Sequence, residues 1–265
     1  AMKDEGYDPD YSAALSSAAS LLGPMIPPSI TLIVYAGLTE ASVQKLFLAT
    51  LTPAILCTVA FLAYTLWYGK KKNLPKQPKK TAKEAGKIML DAIWALLLPV
   101  IVLGLIFSGA TTVTEAAAVS CLYSAVVSLF IYKTITFKDL LKILGDSAVS
   151  IAAIMILVGM SKATAYVVIS SQMPQLFMDF ITSITDSRFV VLLIINVIFL
   201  ILGCLMEGNC IIVMMVPLLL TLVKSFGIDL LQFGVMSAIN IYIGCITPPV
   251  GVSLLLGCKL GKTSV

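Results

Sequence analysis

Long apolar runs separated by short polar joints set the rhythm of this 265-residue chain. A bilayer core about 30 Å thick takes roughly 20 apolar residues as a helix rising 1.5 Å per residue. Stretches of that kind fall at 11–37, 42–68, 88–108, 115–133, 147–172 and 228–257, and the first and last carry Gly and Pro interruptions. The segment 137–146, FKDLLKILGD, sets leucines against polar neighbours at helical spacing. That pattern suits an interfacial connector better than a spanning helix. Trp67-Tyr68, closing the second run, reads as an interfacial aromatic belt. It is followed by GKKKNLPKQPKKTAKEAGK (69–87), which holds eight of the seventeen lysines. A lysine at the bilayer centre costs roughly 2.5–3.5 kcal/mol, so the segment is expected to be a solvated loop. The positive-inside rule places it on the cytoplasmic side. Solvation accounts for the lysines without a nucleic-acid partner.

Residues 189–226 break the rhythm. The run FVVLLIINVIFLILG (189–203) makes a helix of roughly 22 Å, short for a crossing, and IIVMMVPLLLTLV (211–223) is shorter still. Between them lies CLMEGNC. A single helix through both would carry Glu207 and Asn209 through lipid. Two short limbs meeting at a polar tip fit better: a re-entrant hairpin whose tip is buried in protein or faces a water-filled cavity. One long tilted helix with an isolated glutamate is the competing reading.

Composition agrees with a membrane protein and removes several chemistries. Apolar residues make up 59% and charged residues 12% of the chain, and mean hydropathy is +1.01. A soluble domain has about a quarter charged residues, so this chain lacks the polar surface to cover itself in water. The expected class is an all-α polytopic membrane protein. There is no histidine, which excludes His-based acid–base catalysis and His-ligated zinc or haem. No GxSxG elbow and no paired intramembrane aspartates point to an intramembrane enzyme. The six cysteines lie in apolar runs without a CxxC pair and read as small buried residues, with no transition-metal site. No ring of repeated charges suggests a channel pore.

An internal repeat supplies the functional signal. Residues 3–28 align without a gap onto 224–249 at a constant offset of 221. The identities are Lys3/Lys224, Gly6/Gly227, Asp8/Asp229, Ser16/Ser237, Gly23/Gly244 and Pro27-Pro28/Pro248-Pro249. The shared pattern is G-x-D, an apolar stretch, then G-x-x-x-P-P. Two prolines in series remove N–H donors and open a helix. The carbonyls they free cost several kcal/mol in hydrocarbon unless they find a partner, and a hard cation such as Na⁺ is one. Ser29 follows the first Pro pair and Thr247 precedes the second, so each break has a hydroxyl beside it. Broken helices at matching places in two repeats point to a transporter's midplane site. Kinking for packing alone is the bland alternative.

The stretches GYDPDYSAALSSAASLLGPMIPPSI, TEAAAVSCLYS and GIDLLQFGVMSAINIYIGCITPPVGVSLLL, in this order, resemble the large membrane subunit of tripartite ATP-independent periplasmic (TRAP) transporters over essentially the whole chain. The resemblance implies an elevator-type secondary transporter of two inverted repeats, each with a re-entrant hairpin and a broken helix. It implies uptake of an organic acid anion, a dicarboxylate or sialic-acid-like compound, with Na⁺ as coupling ion and no other cofactor. A small membrane subunit, a periplasmic binding protein and the inner-membrane lipid bilayer are the implied partners. Carried over by position, cation binding falls on Gly23, Pro27, Ser29, Gly203, Glu207, Gly208, Asn209, Gly244, Thr247 and Pro248, and substrate contacts fall on Ser29, Asn209 and Thr247. A one-component Na⁺/carboxylate symporter of the same superfamily is the competing function.

The expected organisation is the end of the first repeat at 1–37, a transmembrane helix at 38–68 and the basic loop at 69–87. A second repeat follows at 88–257, containing the hairpin 189–226 and broken helix 228–257, and then a cut end at 258–265. The likeness makes the chain a piece of a longer protein, starting after the family's first hairpin and lacking its last helix. Glu115 in TVTEAAA reads as helix capping with Thr112 or Thr114 in preference to ion binding. Met214-Met215 reads as packing. Lys162, central in its run, is open between pairing with an acid, lining a cavity and snorkelling.

Overall fold

The computed structural model describes residue 2 and residues 7–72 and 81–261. Lys3 and Gly6 of the repeat, residues 73–80 of the basic loop, the side chain of Lys162 and the end 262–265 lie outside the described residues. Among the described residues every regular element is helical. The chain divides into two compact units, one of residues 1–75 and 157–265 and the other of residues 76–156.

The smaller unit contains α5 (Ala82–Phe107), α6 (Val113–Val126) with a π-helical continuation Val127–Ile131, and the first part of α7 (Phe137–Ser170). Capping boxes start its first two helices. Thr81 and Glu84 exchange hydrogen bonds at the head of α5, and Thr112 and Glu115 do so at the head of α6. Glu115 is therefore a cap, with Thr112 its partner. Tyr123 and Tyr132 donate from their hydroxyls to the carbonyls of Trp94 and Asp91, tying the α6 segment to α5. Two boundaries differ from expectation. The basic segment is helical at both margins, because α4 (Val43–Lys71) runs to Lys71 and the Thr81 cap starts α5 within it. The connector 137–146 is continuous with the following apolar run in the single 34-residue helix α7.

The larger unit holds α1 (Pro9–Ser20), α2 (Leu22–Met25), α3 (Ile30–Thr39), α4, the end of α7, α8 (Met173–Ile184), α9 (Arg188–Leu205), α10 (Gly208–Ser225), α11 (Leu230–Cys245) and α12 (Val252–Gly261). The repeated G-x-D motif has a plain structural meaning. Asp8 caps α1 by accepting from Asp10 N, and Asp229 caps α11 by accepting from Leu231 N and Gln232 N. Both Pro-Pro pairs interrupt helix: α1–α2 and α3 are bent by 41° about residues 26–29, and α11 and α12 are separated by residues 246–251. The halves of the two broken helices pair crosswise, α1 on α12 and α3 on α11.

The core of this unit lies between α3, α9, α10 and α11. Tyr35, fully buried, donates to the Leu230 carbonyl at 2.6 Å. Its ring fills the notch left by Gly234, where a Cβ would come within 2.5 Å of Cε1. Phe233 meets Tyr35 and Phe199 edge-on, with centroids 5.9 and 6.0 Å apart. By length and composition, five described helices suffice to cross a bilayer, or six if the bent pair around Pro27-Pro28 counts as one span.

Candidate functional site

The polar tip expected near Glu207 is a break between two helices. Met206 and Glu207 are extended, at φ −132°, ψ 162° and φ −71°, ψ 141°, so α9 and α10 cannot be one continuous helix. Each is 18 residues long, roughly 27 Å, which exceeds the lengths of the apolar runs alone. Glu207 caps α10. Its carboxylate accepts from Asn209 N at 3.0 Å, Cys210 N at 3.2 Å and Asn209 Nδ2 at 2.9 Å. A carboxylate at a helix N-terminus is favoured by the exposed N–H groups and by the helix dipole.

This tip meets the first helix break across a cavity of about 450 Å³. Gly23 and Pro28 line it from the first break, Glu207, Gly208 and Asn209 from the tip, and Tyr242 from α11. Two hydrogen bonds close its base. The Thr31 hydroxyl donates to Asn209 Oδ1 at 3.1 Å, and the buried Ser29 hydroxyl lies 3.0 Å from the Tyr242 hydroxyl. Among the described residues the lining includes one carboxylate and no lysine or arginine.

The remaining residues named from the sequence sit around this cavity without lining it. Ser29 stands behind Tyr242. Gly203 and Gly244 face each other where α9 meets α11. A Cβ on Gly244 would lie 2.5 Å from Gly203 Cα, and one on Gly203 would lie 2.9 Å from the Ile241 carbonyl oxygen. Their lack of side chain serves a backbone approach. Thr247, half-buried, donates its hydroxyl to the Ile243 carbonyl at 2.7 Å. Pro27 is buried and Pro248 exposed. Gly251, at φ +52°, donates its N–H to the Cys204 carbonyl at 3.1 Å and so pins the second break to the end of α9. Sequence reasoning missed Thr31, Tyr242 and Cys245 as cavity residues. Thr31 lies two positions after Ser29, and Tyr242 two before Gly244, so the breaks themselves were the available pointer.

The described helices, several of them long and apolar enough to cross a bilayer, make this a multi-pass membrane protein in which two Pro-broken helices and a helix joint meet at one cavity. A family model described as "Tripartite ATP-independent periplasmic transporter, DctM component" matches residues 1–265, and the chain belongs to that family. It is 35% identical over 260 residues to the sialic acid TRAP transporter large permease protein SiaM of Vibrio cholerae, covering 98% of this chain and 61% of that protein. It is 36% identical over 267 residues to the C4-dicarboxylate TRAP transporter large permease protein DctM of Pseudomonas aeruginosa, covering 99% and 62%. The isethionate TRAP transporter permease protein DctMQ of Oleidesulfovibrio alaskensis is 33% identical over 266 residues, covering 100% and 42%. The chain thus spans about two fifths to three fifths of the length of these relatives. All three are named as transporter permeases, not enzymes.

Proposed function

We propose that the whole protein imports an organic acid anion, a dicarboxylate or sialic-acid-like compound, together with Na⁺, working with a small membrane subunit and a periplasmic binding protein. Relatives named for sialic acid and C4-dicarboxylate transport support that substrate range. The supporting observation is the 450 Å³ cavity, lined by the Glu207 carboxylate and no basic residue among those described. An organic anion placed there meets a like charge in a low-dielectric setting unless a cation accompanies it. Thr31 and Asn209 offer oxygen ligands for that cation from the cavity wall, with the hydroxyls of Ser29 and Thr247 and the carbonyls beside the Pro pairs set back from it. In this reading α9 and α10 are a re-entrant hairpin within the second repeat, the basic segment after α4 is cytoplasmic, and the site travels across the membrane by an elevator movement.

The test is uptake of radiolabelled sialic acid and C4-dicarboxylates by the full-length protein, reconstituted with its small subunit and binding protein. Uptake should require an inward Na⁺ gradient and the binding protein. Equal uptake when choline replaces Na⁺ would refute the coupling. Full Na⁺-driven uptake without the binding protein would establish the one-component symporter instead.

A further inference from the structure

The far end of α4 has a chemistry that the transport site does not use. Its first half is held in protein, with Leu46, Phe47 and Ala54 buried. From Ile55 onward it presents Ile55, Leu56, Val59, Leu62 and Leu66 outward. At 29 residues the helix is roughly 44 Å long, so an upright α4 carries its last turns past a hydrocarbon core of about 30 Å.

Those turns form an aromatic shelf. Tyr68 stacks on Tyr11 of α1, with centroids 4.3 Å apart and planes 6° from parallel. Tyr64 packs 6.0 Å from both Tyr68 and Trp67. The Lys71 ammonium lies over the Trp67 ring, 4.8 Å from its centroid. Tyr11 thus fixes the shelf from behind, while Tyr64 and Trp67 remain 51% and 55% exposed. Among the described residues the Trp67 indole N–H and the Tyr64 hydroxyl make no hydrogen bond, and Lys70, Lys71 and Lys72 face no carboxylate partner. Lys76, Lys79 and Lys80 follow in the chain, and no acidic residue appears before Glu84. The cluster therefore offers donors and positive charge at the end of an apolar shaft.

We propose that this shelf is a binding site for an anionic phospholipid. The headgroup phosphate accepts from the Trp67 N–H and the Tyr64 O–H and is neutralised by Lys70–Lys72, while the acyl chains lie along the exposed aliphatic side chains of α4. A zwitterionic lipid supplies the same chains but leaves the lysine charge uncompensated, so the site discriminates by headgroup charge.

Photoreactive phosphatidylglycerol and phosphatidylcholine, each at equal mole fraction in vesicles carrying the full-length protein with its small subunit, test this by adduct mapping. Phosphatidylglycerol should label the Tyr64–Lys72 peptide about fivefold or more over phosphatidylcholine. The ratio should fall toward unity in Lys70→Gln/Lys71→Gln/Lys72→Gln, and in Trp67→Phe, which leaves the lysines in place. Equal labelling by the two lipids in the unaltered protein would overturn the proposal. So would labelling that appears only without the small subunit, since the surface would then be a protein interface. Competition by millimolar inorganic phosphate would show a soluble anion site and overturn it as well.

Discussion

Gly244→Ala tests whether the second helix break is held by a backbone contact. The added Cβ would lie 2.5 Å from the Cα and carbonyl carbon of Gly203 and 2.8 Å from Cys204 N. Carbon atoms settle at about 3.5–4.0 Å, and the obstructing atoms are all main chain, so no side chain can rotate aside. The ends of α9 and α11 must part by roughly 1 Å to restore contact distance. Overpacking of this kind costs about 1–3 kcal/mol. The parting also acts on the Gly251 N–H to Cys204 carbonyl bond, 3.1 Å long and adjacent to the contact, whose loss adds about 1 kcal/mol. The sum, about 2–4 kcal/mol, corresponds to a lowering of melting temperature on the order of 2–5 °C for the longer full-length protein. Thermal unfolding of the full-length protein in detergent measures it, alongside the rate of uptake. Gly104→Ala is the control, because nothing lies within 4 Å of a Cβ at that helical position. It should cost no stability. A Gly244→Ala protein that melts with the parent would mean that α9 and α11 do not meet through these glycines.

Three further expectations follow from particular contacts. Tyr35→Phe removes the 2.6 Å bond from the buried Tyr35 hydroxyl to the Leu230 carbonyl; thermal unfolding should show a loss of about 0.5–1.5 kcal/mol, and an unchanged midpoint would mean that the bond does not hold α3 to α11. Thr247→Ala removes a hydroxyl whose proton is given to Ile243 but whose lone pairs stay free, so the Na⁺ concentration for half-maximal uptake should rise roughly tenfold; an unchanged Na⁺ dependence would remove Thr247 from the site. Glu84 is held below the usual carboxylate range by the backbone N–H and then the hydroxyl of Thr81. Because its folded value is depressed, the cap is fully present above the unfolded value of about 4.3 and is lost as pH falls through the folded one. Amide exchange in the first turn of α5, corrected for intrinsic rates, should accelerate over that acid window, and Glu84→Gln should abolish the acceleration.

Local chemistry was the legible part of this chain. Apolar run length announced α4, α5, α6 and the bent pair around Pro27-Pro28 but made α9 and α10 shorter than they are. Thr112 and Glu115 announced their cap, and GxxxPP announced both helix breaks, since each rests on neighbours in sequence. The helix margins were harder. Lys70 and Lys71 continue α4 because a long helix carries them past the hydrocarbon, and Thr81 starts α5 inside a segment whose lysines suggested only a loop. What required the fold was pairing over distance. Gly203 and Gly244 looked like members of a polar tip and a cation break, yet they let two backbones meet. Thr31 and Tyr242 enter the cavity only because α3 and α11 lie side by side, and no spacing within either repeat encodes that.

The crosswise pairing of the broken helices also sets an order of assembly. The residues of α1 end at Ser20, and those of α12, on which they pack, begin at Val252. At about 5–20 residues per second, a ribosome needs roughly 10–45 s to supply the second after the first. Through that interval α1 lacks its α12 partner and can pack only on elements made earlier, such as α4, whose Tyr68 ring stacks on Tyr11. Docking of α1 on α12 therefore waits for nearly all of the described chain between them to be made. Mutations in α12 should reveal themselves as α1 failing to settle in the membrane.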